Sequence, residues 1–60
     1  MKINGLVFHE VRRGVFAVLI GSRQYVVEQI SDRRFDIYQD GRFQDEVTTI
    51  FEAADWLLEQ

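Results

Sequence analysis

Four tight-turn signals, Arg12-Arg13-Gly14, Gly21-Ser22, Ser31-Asp32-Arg33 and Asp40-Gly41, cut the first three quarters of the chain into short runs rich in Val, Ile, Phe and Tyr. Gly-Ser and Asp-Gly are dipeptides that primed hairpin turns favour, because their central positions require a positive φ. The runs predict five strands, over residues 3–11, 15–20, 23–30, 34–39 and 42–47. Loops this short join antiparallel neighbours, so the expected topology is an up-and-down meander. A helix is predicted to start at Thr48 or Thr49 and run to the end: Thr49 and Glu52 have capping-box spacing, and Ile50, Ala53, Ala54 and Leu57 recur with a helical period. The fold class that follows is α+β, a four- to five-stranded antiparallel β-meander, flat or curled toward a partial barrel, with one C-terminal α-helix packed on one face.

Sixty residues make one domain, spanning 1–60, and a chain of that size hides only about 60% of the surface it exposes when unfolded. The absence of cysteine removes disulfides and thiolate metal sites. No metal or other cofactor is expected. Met1-Lys2-Ile3-Asn4-Gly5 opens without the long apolar run of a signal peptide or membrane span, so a cytoplasmic location is the expectation. A formal net charge of −3 argues against coating nucleic acid by bulk electrostatics.

Pairing the hairpins at their tightest registers divides the apolar residues between two sheet faces. Phe16, Val18, Ile20, Tyr25 and Val27 share one face; with Val47, and with Tyr38 opposite Phe43, it is expected to lie under the helix. The other collects Val15, Ala17, Leu19, Val26, Ile30, Phe35 and Ile37, with Leu6 and Phe8 added when the first loop has two residues. On the helix, Trp56 flanks the buried stripe on one side, and Phe51 and Leu58 on the other. That is more apolar surface than one sheet and one helix can cover, so either the sheet curls on itself or the second face meets a partner or a second copy. The candidate partner-binding residues are therefore Phe8, Leu19, Val26, Phe35, Ile37, Phe51, Trp56 and Leu58.

Charge adds two further candidates. Arg12 and Arg13 in the first loop and Arg33 and Arg34 in the third fall at one end of a meander, a grouping suited to phosphate or clustered carboxylates. The tight register also sets Asp36 opposite Asp45, an acidic pair that would repel unless a cation or arginine lay between its members. Catalytic chemistry is thinly supplied. His9 is the single histidine and Ser22 and Ser31 both sit at turns, so no catalytic residue is assigned and an enzyme is not expected.

Two resemblances bear on function. Tyr25-Val26-Val27-Glu28-Gln29-Ile30-Ser31-Asp32-Arg33-Arg34 resembles the opening strand of a chromodomain, which implies methyl-lysine reading by an aromatic cage with Tyr25 at the sole matching position; the only tryptophan, Trp56, lies in the helix. More of the chain is covered by the second: residues 35–42 followed by 49–57 are similar to the hairpin-then-helix ending of small phage and prophage accessory proteins, anti-CRISPR-like inhibitors among them. That likeness implies a short acidic protein, in the host cytoplasm if phage-encoded, that binds a host or phage complex. The function expected is a non-catalytic protein-binding module, with a homodimer as one form of partner. The alternative is a nucleic-acid-contacting module that uses the arginine end of the sheet, with Tyr25, Phe35 and Tyr38 as stacking surfaces.

Overall fold

At Asp40-Gly41 the chain reverses with φ of 50° and 81°, the left-handed pair that a two-residue type I′ hairpin demands. The same pair recurs at Asn4-Gly5, with φ of 52° and 84°. In the computed structural model, which describes residues 1–60, this second Asn/Asp-Gly turn breaks the expected strand over 3–11 into three pieces. Strands β1 (Lys2–Ile3) and β2 (Leu6–Val7) form a small hairpin, and β3 (His9–Arg12) enters the main sheet. The remaining elements follow the turn signals: β4 (Val15–Ile20), β5 (Arg23–Ser31), β6 (Arg34–Gln39), β7 (Arg42–Val47) and α1 (Ile50–Leu58).

The main sheet is an antiparallel meander in the order β3-β4-β5-β6-β7. It is open, with β3 and β7 as its two edges, and does not close into a barrel. Three of its four ladders carry a register shift: between Glu10 and Arg12 on β3, between Gln29 and Ser31 on β5, and between Ile37 and Tyr38 where β6 meets β7. Each leaves one residue unopposed, namely Val11, Ile30 and Gln44. Because side chains alternate with a period of two, one extra residue turns the rest of the strand over.

That inversion corrects the face assignment. The shift at Ile30 sets Val27 opposite Ile37 and Gln29 opposite Phe35, so Phe35 and Ile37 join the face under the helix. Tyr38 and Phe43, opposite one another as expected, lie on the other face, since Tyr38 also pairs Val26 and Val26 pairs Ala17. The shift at Gln44 moves Asp36 opposite Glu46 and Asp45 opposite Ile37, so the acidic pair is not formed.

Thr49 caps α1 with a hydroxyl that accepts the Glu52 amide at 3.1 Å, while Glu52 Oε1 accepts the Thr49 amide at 3.1 Å. Ala53, Ala54 and Leu57 then bury against Val18, Tyr25, Val27, Phe35 and Ile37, and the β1–β2 hairpin brings Ile3 and the linking Phe8 to the same core. Burial of each large apolar side chain contributes ~1.5–3 kcal/mol. Asn4 Nδ2 donates to Asp55 Oδ1 at 3.1 Å, so the hairpin tip rests beside the middle of the helix. Helix and hairpin thus cover one face of the sheet and leave the other bare.

Candidate functional site

Opposed residues in a sheet share a face, so the ladders define the bare face row by row. One row crosses all five strands: His9 on β3, Ala17 on β4, Val26 on β5, Tyr38 on β6 and Phe43 on β7. The Tyr38 and Phe43 rings meet edge to face with centroids 5.9 Å apart, which fixes both planes without covering them. Phe43 remains 53% exposed, and Leu19, one step along β4, is 68% exposed. Ala17, Val26 and Tyr38 are half-buried.

The neighbouring row is charged: Arg12, Val15, Glu28, Asp36 and Glu46. Asp36 is the one buried charged residue, and Arg34 holds it, with Nε on Oδ1 at 2.9 Å and Nη1 3.6 Å from Glu46. The hydrogen bond to Asp36, ahead of the charges of Asp36 and Glu46, raises the Arg34 pKa above its ordinary value. Arg34 is therefore committed to its own strand neighbours. Arg12, Arg13 and Arg33 are exposed and form no ion pair, and Glu10 reaches the turn that carries the first two, its carboxylate accepting the Gly14 amide at 3.1 Å.

Across the molecule, the helix presents Phe51 and Leu58, 64% and 52% exposed, bordered by Glu52, Asp55 and Glu59. Trp56 is half-buried, edge-on to Tyr25 with centroids 6.3 Å apart, and its indole N–H donates to Asp45 Oδ2 at 3.2 Å.

The proposed binding residues thus separate into three groups. Leu19 and Val26 belong to the bare face, and Phe51 and Leu58 to the helix flank. Phe8, Phe35 and Ile37 are core residues that offer no surface, and Tyr25, fully buried, can line no aromatic cage. The tight register misses His9, Ala17, Tyr38 and Phe43 as one row. A signal for half of it was present in β6, where Arg34, Phe35, Asp36 and Ile37 alternate polar with apolar and already point Phe35 and Ile37 inward.

No cluster of His, Asp and Glu is placed to hold a metal ion, the surface has no pocket, and no helix is long and apolar enough to cross a membrane. Comparison with protein-family models, curated proteins and solved structures finds no match to this chain.

Proposed function

We propose that this chain is a small non-catalytic protein-binding module that works through the bare face of its sheet. One observation carries the reading: an apolar and aromatic row spans every strand of the sheet, and neither helix nor hairpin lies over it. Tyr and Phe held rigidly by one another are the side chains that anchor protein interfaces, and a charged row alongside supplies a polar rim. The likeness of the C-terminal hairpin and helix to phage and prophage accessory proteins favours a host or phage complex as the foreign partner, met in the host cytoplasm. Inhibition of such a complex is the finer form of this proposal.

Affinity capture from a bacterial lysate, with partners identified by mass spectrometry, tests the reading. The double variant Leu19→Asp with Phe43→Asp should lose the captured protein, whereas Arg13→Ala should keep it. Capture that is unchanged by the double variant would refute the use of this face.

A second reading rests on Arg12, Arg13 and Arg33, whose guanidinium groups have no carboxylate partner within ion-pair distance. As phosphate contacts they would bind a labelled single-stranded oligonucleotide at low salt and release it as salt rises, losing about one unit of log–log slope per phosphate contact removed. Absence of binding at low salt eliminates this reading.

A further inference from the structure

Resting on the bare face being a binding surface, we infer that one occupant of that face is a second copy of this chain, packed sheet on sheet about a two-fold axis that runs along β5. Like can meet like on a sheet domain at an edge, on the covered side or on the bare face, and the first two are obstructed. Both edge strands are bulged, at Val11 and at Gln44. On β7, Gln44 Nε2 donates to the Arg42 carbonyl at 3.2 Å and Asp45 Oδ1 accepts the Glu46 amide at 2.8 Å, so the strand's own side chains occupy two of its backbone groups. Bulges and self-engaged backbone are the devices by which edges avoid pairing with other strands. On the covered side stand Asp45 of β7 and Glu52, Asp55 and Glu59 of the helix, and no basic residue follows Arg42. Two copies meeting at the helix would set carboxylates against carboxylates.

The bare face carries both signs, at opposite ends of one row. Arg12 stands on edge strand β3 and Glu46 on edge strand β7. Rotation about β5 exchanges the two edges, which brings Arg12 over Glu46 of the second copy and repeats the pair on the far side. In the apolar row the same rotation puts Ala17 over Tyr38 of the second copy, Val26 over Val26 and His9 over Phe43, so the Tyr38 ring meets a small residue and the Phe43 ring a flat imidazole. Two contacts are unfavourable: Val15 lies over Asp36 of the second copy, and a like-charge pair falls on the axis. Glu28, central in the charged row and on the axis strand, faces its own copy.

That contact gives the proposal a signature a generic sticky surface would lack. Sedimentation velocity on the full chain should show a reversible dimer in the micromolar range. Leu19→Asp and Phe43→Asp should each yield monomer with unchanged far-ultraviolet circular dichroism, and Phe51→Asp should leave the dimer intact. Glu28→Gln, which preserves shape, should tighten it. Arg12→Glu should weaken it by about threefold to tenfold, and combining Arg12→Glu with Glu46→Arg should recover the loss. A chain that is monomeric at every concentration, a dimer dispersed by Phe51→Asp, or one loosened by Glu28→Gln overturns the inference. Monomeric behaviour together with lysate capture that still depends on Leu19 and Phe43 would refute the second copy while sustaining the binding face.

Discussion

The Tyr25 hydroxyl lies in the core, at zero residue exposure, with no hydrogen-bond partner in the protein. A buried hydroxyl without a partner costs about 1–3 kcal/mol of desolvation, whereas the ring beneath it packs edge-on against Trp56. Tyr25→Phe keeps the ring and removes the penalty. Urea unfolding followed through Trp56 should therefore find the variant as stable as the parent or more stable. Glu52 is the opposite case, a charge that the fold favours. Its carboxylate accepts from the Thr48 hydroxyl and amide and from the Thr49 amide, and these bonds, the hydroxyl first, lower its pKa below the ordinary glutamate value. A carboxylate with a lowered folded pKa contributes stability above its unfolded value of about 4.3, and that contribution is lost as pH falls through the lower folded value. Denaturation midpoints of the parent and Glu52→Gln should thus lie furthest apart near neutral pH and converge as acid protonates the glutamate.

Among the elements, α1 is tied to the sheet by apolar packing and by one polar strap. Asp45 is the strap: one oxygen takes the Trp56 indole N–H and the other the Glu46 amide. Its place opposite Ile37, on the helix side of β7, exists only because Gln44 is bulged out of register. Asp45→Ala should cost ~1 kcal/mol and shift Trp56 emission to longer wavelength as the indole loses its acceptor. An emission spectrum and a midpoint that both stay at parental values would assign the helix contact to packing alone. The hairpin turns follow a different logic, in which backbone conformation dominates. Asn4-Gly5 forms the same left-handed turn as Asp40-Gly41, and it places Ile3 and Phe8 over a core that the meander and helix would otherwise leave partly open.

At the scale of the whole molecule, sixty residues enclose a core under one sheet face only, and association is one route by which a domain of this size can gain further burial. Mass action makes this measurable. If two copies share the bare face, the thermal midpoint of the parent should rise with protein concentration, and that of Leu19→Asp should not. Parallel behaviour of the two proteins across a wide concentration range would contradict the dimer.

The five-strand order of the main sheet, the helix with its Thr49 cap and the fold class were legible in the chain, because turn dipeptides and apolar periodicity act over a few residues and need no tertiary context. The Asn4-Gly5 turn that divides the expected strand over 3–11 was legible too, since its dipeptide is as strong a hairpin signal as Asp40-Gly41. Alternation along β6 already separates Phe35 and Ile37 from Tyr38, but which β5 residues share their faces, and with them where Phe43 lies, was settled only by the tertiary structure. The bulge at Ile30 decides which face those side chains occupy, as the one at Gln44 does for Asp45, Glu46 and Val47, and a bulge is chosen by the packing of the complete sheet on its helix rather than by the residues that form it. A period of two has no memory of which side is inward; a single unopposed residue reverses it, and only the closed core shows which phase buries more.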